Sequence, residues 1–213
     1  MTPLLFAAGA LVAIGAAVAT GARDARVASL GLAGMLAAVP FVADPLPESL
    51  PLAFGVIAGI LAGFLVFVAS RRVPDGTGPP LGLPATLGAA AAGFAVGMGA
   101  TAIALPRLGP DAALAAGLAA LAVAVVPIAV THDVMRLGSG LLVLVGSATL
   151  ILAALAGTPE PLTSIAAGIA VVALAAAVAV VTGGAVAATG STVVPDDIPG
   201  HRVAAARVDG DLP

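Results

Sequence analysis

RLGSGLLVLVGSATLILAALA (Arg136–Ala156), then GTPEP (Gly157–Pro161), then LTSIAAGIAVVALAAAVAVV (Leu162–Val181) decides the class of this chain. Each arm holds about twenty apolar residues, the length an α-helix needs to cross a bilayer core. The arms meet at a short turn whose prolines remove backbone donors and fix φ, so that both helices stop there. No charged residue lies between Arg136 and Glu160. The stretch reads as a transmembrane hairpin with a basic foot at Arg136.

The rest of the chain has the same character. Of 213 residues, 61% are hydrophobic and 9% charged, where a soluble domain would carry about a quarter charged residues. With a mean hydropathy of +1.19, the expectation is an all-α polytopic membrane bundle. The apolar runs are helix-length without strict alternation, which argues against a β-barrel. There is no Cys, hence no disulfide, thiol nucleophile, iron–sulfur ligation or thiolate metal site. The net charge of −3 gives no footprint for nucleic acid. Trp, Tyr and Lys are also absent, so the interfacial aromatic belt is missing and a retinal Schiff base is excluded. The apolar N-terminus lacks a basic leader and reads as a retained helix.

Seven spans fit: Leu4–Thr20, Val27–Ala43, Leu52–Ser70, Ala85–Leu105, Ala112–Val130, Leu137–Ala156 and Leu162–Val181, with a polar cytoplasmic tail over 182–213. The odd-numbered loops and the tail carry Arg23, Arg26, Arg71, Arg72, Arg136, Arg202 and Arg207, while the even-numbered loops carry only Arg107. The positive-inside rule then places the N-terminus outside and the C-terminus inside. Asp44-Pro-Leu-Pro-Glu48 and Thr158-Pro-Glu-Pro-Leu162 are similar acidic, proline-rich turns, and a 3+1+3 layout with the fourth span as connector is possible. The loop Arg71–Pro84 reads as extended.

Chemistry-bearing residues are few. Gly55, Gly59 and Gly63 form a double G-x-x-x-G in the third span, repeated as Gly93 and Gly97 in the fourth. Four-residue spacing puts them on one face where another helix approaches closely, so they are the expected helix-packing interface, with Ala58 on a different face. His132, Asp133 and Arg136 sit at a membrane mouth and are read as a solvated cytoplasmic anchor rather than a proton relay, because adjacent helical residues do not face each other. His132 and His201 lie far apart, so no metal site is expected. Pumps place ionisable groups at membrane depth; here only Thr101, Ser139, Ser147 and Thr149 are polar there, and lone hydroxyls commonly bond back to their own helix. No catalytic, cofactor-binding or metal-binding residue is assigned.

The run Thr131-His-Asp-Val-Met-Arg-Leu-Gly-Ser-Gly-Leu-Leu142, the Pro159-Glu160 turn and the tail Gly190-Ser-Thr-Val-Val-Pro-Asp-Asp197 resemble the small E component of group-four membrane hydrogenases, with a C-terminal half similar to the K subunit of respiratory complex I. Members of that group carry a Glu-Asn pair where this chain has Val145 and Gly146, an acidic residue near Gly168 and a Lys near Gly59. The resemblance implies a place in a hydrogenase-like or antiporter-like membrane arm, and these departures from it argue against direct proton conduction.

The expected function is therefore a non-catalytic, cofactor-free scaffold subunit of a redox-linked or cation-translocating complex in a prokaryotic cytoplasmic membrane. Its partners would be larger multi-span subunits, the lipid bilayer and a peripheral redox subunit. A second expectation is a small seven-helix solute transporter acting as a homo-oligomer.

Overall fold

A computed structural model describes residues 3–43, 46–73, 82–103, 111–157 and 159–193. The described residues form helices α1 (Pro3–Gly21), α2 (Ala25–Ala38), α3 (Ser49–Ser70), α4 (Leu83–Ile103), α5 (Asp111–Val130), α6 (Val134–Ala156) and α7 (Pro161–Thr189). All seven are long and apolar enough to cross a membrane, α2 together with the 3-10 turn Val39–Val42 that continues it. Asp44, Pro45, residues 74–81, Arg107, Thr158 and the tail from 194, with His201, Arg202 and Arg207, lie outside the described residues.

Local chemistry sets the ends. Asp24 caps α2 by accepting the Arg26 N–H at 2.8 Å, and Asp133 caps α6 by accepting the Met135 N–H at 2.9 Å. Glu48 and Glu160 precede α3 and α7 with nearly the same backbone, φ/ψ −54°/155° and −56°/150°. In α2, Pro40 cannot donate to the Leu36 carbonyl, so the α-helical ladder gives way to a 3-10 turn. The sequence reading ended the last span at Val181 and began a polar tail at Thr182. The helix runs instead to Thr189, and its end is set by Gly190 in the left-handed region at φ 71°. Thr182 is fully buried, and so belongs to the packed bundle rather than to a polar tail.

The helices close into a ring in which α1 packs on α2, α2 on α3, α3 on α7, α7 on α6, α6 on α5, α5 on α4 and α4 on α1. α1 and α5 also touch across the ring and are its most buried spans. Alanine makes this possible. Ala16, Ala17, Ala112, Ala116, Ala119 and Ala120 are buried, so helix axes approach closely where dispersion, rather than water exclusion, holds helices together. α4 is fixed to α1 by the Thr86 hydroxyl, which donates to Ala17 O at 3.3 Å, and by an edge-to-face Phe6–Phe94 pair at 5.7 Å. α7 joins α3, its most extensive partner, across more than a hundred residues of sequence.

Candidate functional site

The predicted glycine faces are packing surfaces within the chain. A Cβ on Gly59 would lie 2.6–2.8 Å from the Leu36–Ala37 peptide of α2, and one on Gly55 would meet the Pro40 ring at 2.8 Å. Gly63 faces Ala33 of α2, Gly93 faces Leu118 and Ala119 of α5, and Gly97 faces Leu114 and Ala115 of α5. These glycines are therefore used inside one subunit, leaving none of them to dock a second. Ala58 was expected to lie on an uninvolved face; it is 5% exposed and lies against Gly168 of α7.

The same packing leaves a vestibule of about 590 Å³ at the proline-rich end, bounded by α2, α3, α6 and α7. Its walls are apolar, with Pro40, Gly55, Leu150, Ala153, Gly168 and Val171 among them. The polar groups on it are the hydroxyl residues Thr149, Thr163 and Ser164 and, at the rim, Glu160. Thr149 Oγ1 donates to Gly146 O at 2.8 Å and Ser164 Oγ to Glu160 O at 3.3 Å, which leaves their lone pairs as acceptors.

A second cavity of about 230 Å³ lies at the opposite end, where the starts of α2 and α6 meet the ends of α1 and α3 and the residues following α7. Arg23, Arg26, Arg136, Asp24 and Asp133 line it together with the buried Ser29, Ser70, Ser139 and Thr192. The chain after α7 crosses this cavity: Thr192 O accepts the Val134 N–H at 3.1 Å, and Val193 forms an antiparallel bridge with Asp133. Arg136 does more than anchor a loop. Its guanidinium reaches Asp133 at 3.6 Å and donates to Ala22 O and Arg23 O at 3.4 and 3.5 Å, tying α6 to the α1–α2 turn. Asp133 is buried, whereas His132 is exposed and does not line the cavity.

Between the cavities stands one apolar layer. On α2, Ser29 lines the arginine-end cavity and Leu36 the vestibule; Leu32 and Met35 lie between them, both fully buried. On α6, Leu142 and Val143 fill the same interval from Ser139 to Gly146. Seven residues of helix span about 10 Å. A Cβ on Gly146 would lie 2.8 Å from Met35 Cε, so this glycine makes room for the methionine in the layer between the cavities.

Among the described residues every Asp, Glu and Arg lies in a turn or in the first turn of a helix. No group of three or more His, Asp or Glu side chains is placed to hold a metal ion among them. The buried helical hydroxyls of Thr20, Ser139 and Ser147 bond back to their own helices, as expected. Thr182 Oγ1 is different: it is buried and has no hydrogen-bond partner among the described residues.

Sequence reasoning missed the pairing of Arg26-x-x-Ser29-x-x-Leu32 with Arg136-x-x-Ser139-x-x-Leu142, whose signal is a plain repeat. In both copies the serine donates to the arginine carbonyl, at 2.8 and 2.9 Å, and in both the leucine belongs to the layer between the cavities. No family model, curated protein or solved structure matches this chain.

Proposed function

We propose that this protein is a small multi-pass membrane carrier that moves an amphiphilic solute down its gradient. The observation that supports the reading is the pair of cavities, at opposite ends of the same helices and separated by about 10 Å of apolar side chains. The unit α1–α3 has a counterpart in α5–α7: capped second helices with the Arg-x-x-Ser-x-x-Leu run, Pro-Glu starts to the third helices, and contacts α1 to α5 and α3 to α7. With α4 as connector this is a 3+1+3 arrangement, in which rocking of one unit against the other would open the cavities alternately. By the positive-inside rule the arginine end is cytoplasmic, which makes the chain N-out and C-in in a prokaryotic cytoplasmic membrane.

The chemistry of the walls narrows the cargo. The vestibule is within the roughly 300–1,000 Å³ of small-molecule pockets, mostly apolar, with hydroxyl oxygens and one carboxylate at the rim. Such a surface suits an apolar body bearing a cationic or hydrogen-bonding head. Among the described residues the charges lie at helix ends rather than at membrane depth, which suits downhill transport. Ethidium, an aromatic cation, is a suitable probe, read by its fluorescence on DNA trapped inside proteoliposomes. Uptake should saturate and exceed that of protein-free liposomes, and Ala153→Phe, which fills the vestibule, should reduce it about tenfold while leaving the melting temperature near that of the parent. Equal uptake by parent, variant and empty liposomes would remove the carrier reading.

A second reading, a scaffold subunit of a larger hydrogenase-like or antiporter-like complex, draws on the sequence resemblance and on α4. This helix is the least apolar of the seven spans and, with α7, the least buried; Gly88 and Gly99 on it have nothing within 4 Å. A weakly apolar outer helix gains more from a protein neighbour than from lipid. Co-purification of a larger multi-span subunit, with a peripheral redox subunit at the arginine end, would favour this reading; a homo-oligomer would favour the carrier.

A further inference from the structure

The arginine-end cavity has a chemistry that solute passage through the vestibule does not require. Three guanidiniums line it, and its two carboxylates are already engaged by helix starts: Asp24 accepts the Arg26 N–H, and Asp133 accepts the Met135 N–H and pairs with Arg136. Arg136 is thereby balanced, while Arg23 and Arg26 flank the single carboxylate of Asp24, leaving one net positive charge on the α1–α2 turn. The cavity is open at its mouth, where Arg23 and Arg26 are exposed, and its inner wall carries three buried serines, Ser29 at 1%, Ser70 at 3% and Ser139 at 6% exposed. Its volume of about 230 Å³ is far above the roughly 10–15 Å³ that one water needs, so a tetrahedral oxyanion fits with part of its hydration. Guanidinium forks match the paired oxygens of such an anion, and a basic pocket between spans at the cytoplasmic leaflet is where anionic headgroups are held.

We propose that this cavity seats a phosphate group, presented by an anionic phospholipid of the adjoining leaflet or by free phosphate, with Arg23 and Arg26 as its principal donors and Arg136 as the fixed wall behind them. The cavity is distinct from the vestibule and holds whether the protein is a carrier or a scaffold.

The test uses the full chain purified in detergent, with native mass spectrometry reading bound phosphatidylglycerol against phosphatidylcholine. Arg23→Gln/Arg26→Gln alters the cavity without touching the Arg136 tie. Arg71→Gln/Arg72→Gln removes the same charge at the same end outside the cavity, where Arg71 stacks on Phe67 at 5.1 Å. The cavity pair should lower phosphatidylglycerol retention by about tenfold more than the control pair, since each arginine near an anionic surface contributes substantially. A parallel arm titrates inorganic phosphate into delipidated protein. Phosphate binding that depends on Arg23 and Arg26, without selective lipid retention, assigns the site to free phosphate and supports the shared chemistry. Equal losses in both double variants would reduce the effect to general surface charge and overturn the proposal, as would lipid and phosphate binding that both ignore Arg23 and Arg26.

Discussion

Replacing Gly59 by alanine adds one methyl group where α3 crosses α2. The new carbon would sit 2.6 Å from the Leu36 carbonyl carbon, 2.7 Å from Ala37 N and 2.8 Å from Leu36 O. All three are backbone atoms, so no side chain can swing aside, and ordinary contact at about 3.5–4 Å requires the two helices to separate by close to an ångström. That displacement carries Gly55 off Pro40 and Gly63 off Ala33, the flanking contacts of the same face. Overpacking of this kind costs about 1–3 kcal/mol. Gly34→Ala on α2 is the matched control, because nothing lies within 4 Å of that position; there alanine should be neutral or should stabilise by up to about 1 kcal/mol through helix propensity. A chain of this length loses about 2–4 °C per kcal/mol, so thermal melting in detergent, followed by circular dichroism, should show Gly59→Ala about 2–12 °C below the parent and Gly34→Ala at or above it. Indistinguishable melting of the two variants would mean that α2 and α3 do not meet at Gly59, and the account of the glycine face would fail.

Two further outcomes follow from other parts of the bundle. Asp133→Ala removes the α6 cap and the carboxylate beside Arg136; the cap alone contributes about 0.5–2 kcal/mol, so the variant should melt lower by several degrees, and Asp133→Asn, which can still cap, should recover part of the loss. Because the chain has no cysteine, single cysteines report sidedness directly: Pro47→Cys and Pro159→Cys should react in intact cells with an impermeant thiol reagent, Arg23→Cys and Arg71→Cys only after lysis, and the reverse pattern would invert the proposed orientation.

The spans were legible because membrane helices advertise themselves by length and by missing charge, and loop arginines supplied an independent check on their number. Helix capping was half legible: Asp133 stood at the right place, but its side chain was read as solvated because a sequence does not reveal that residues 190–193 return to cover it. The double G-x-x-x-G announced a close helix approach without naming the partner; small residues fit any neighbouring backbone, so α2 and an external subunit looked alike. The vestibule was illegible for the same reason. It exists because α3, packed on α7, stands away from α6, and the alanine-rich spans hold no periodicity that encodes such distant pairing. The end of α7 was misjudged because Gly183-Gly184 is a breaker in water, whereas in a helix flanked by buried Thr182 and capped at Gly190 it is tolerated.

The preference of α7 for α3 over α6 bears on how the protein is made. Spans enter the bilayer in chain order, so α1 to α6 can assemble while the binding face of α3, with Phe54 and Ala58, still waits for Gly168. Until α7 leaves the ribosome, that face must be held by lipid or by an insertion factor, and α7 is the span that closes the ring. Truncations within α7 should therefore be recognised by membrane quality control as unfinished, even though six spans are already in place.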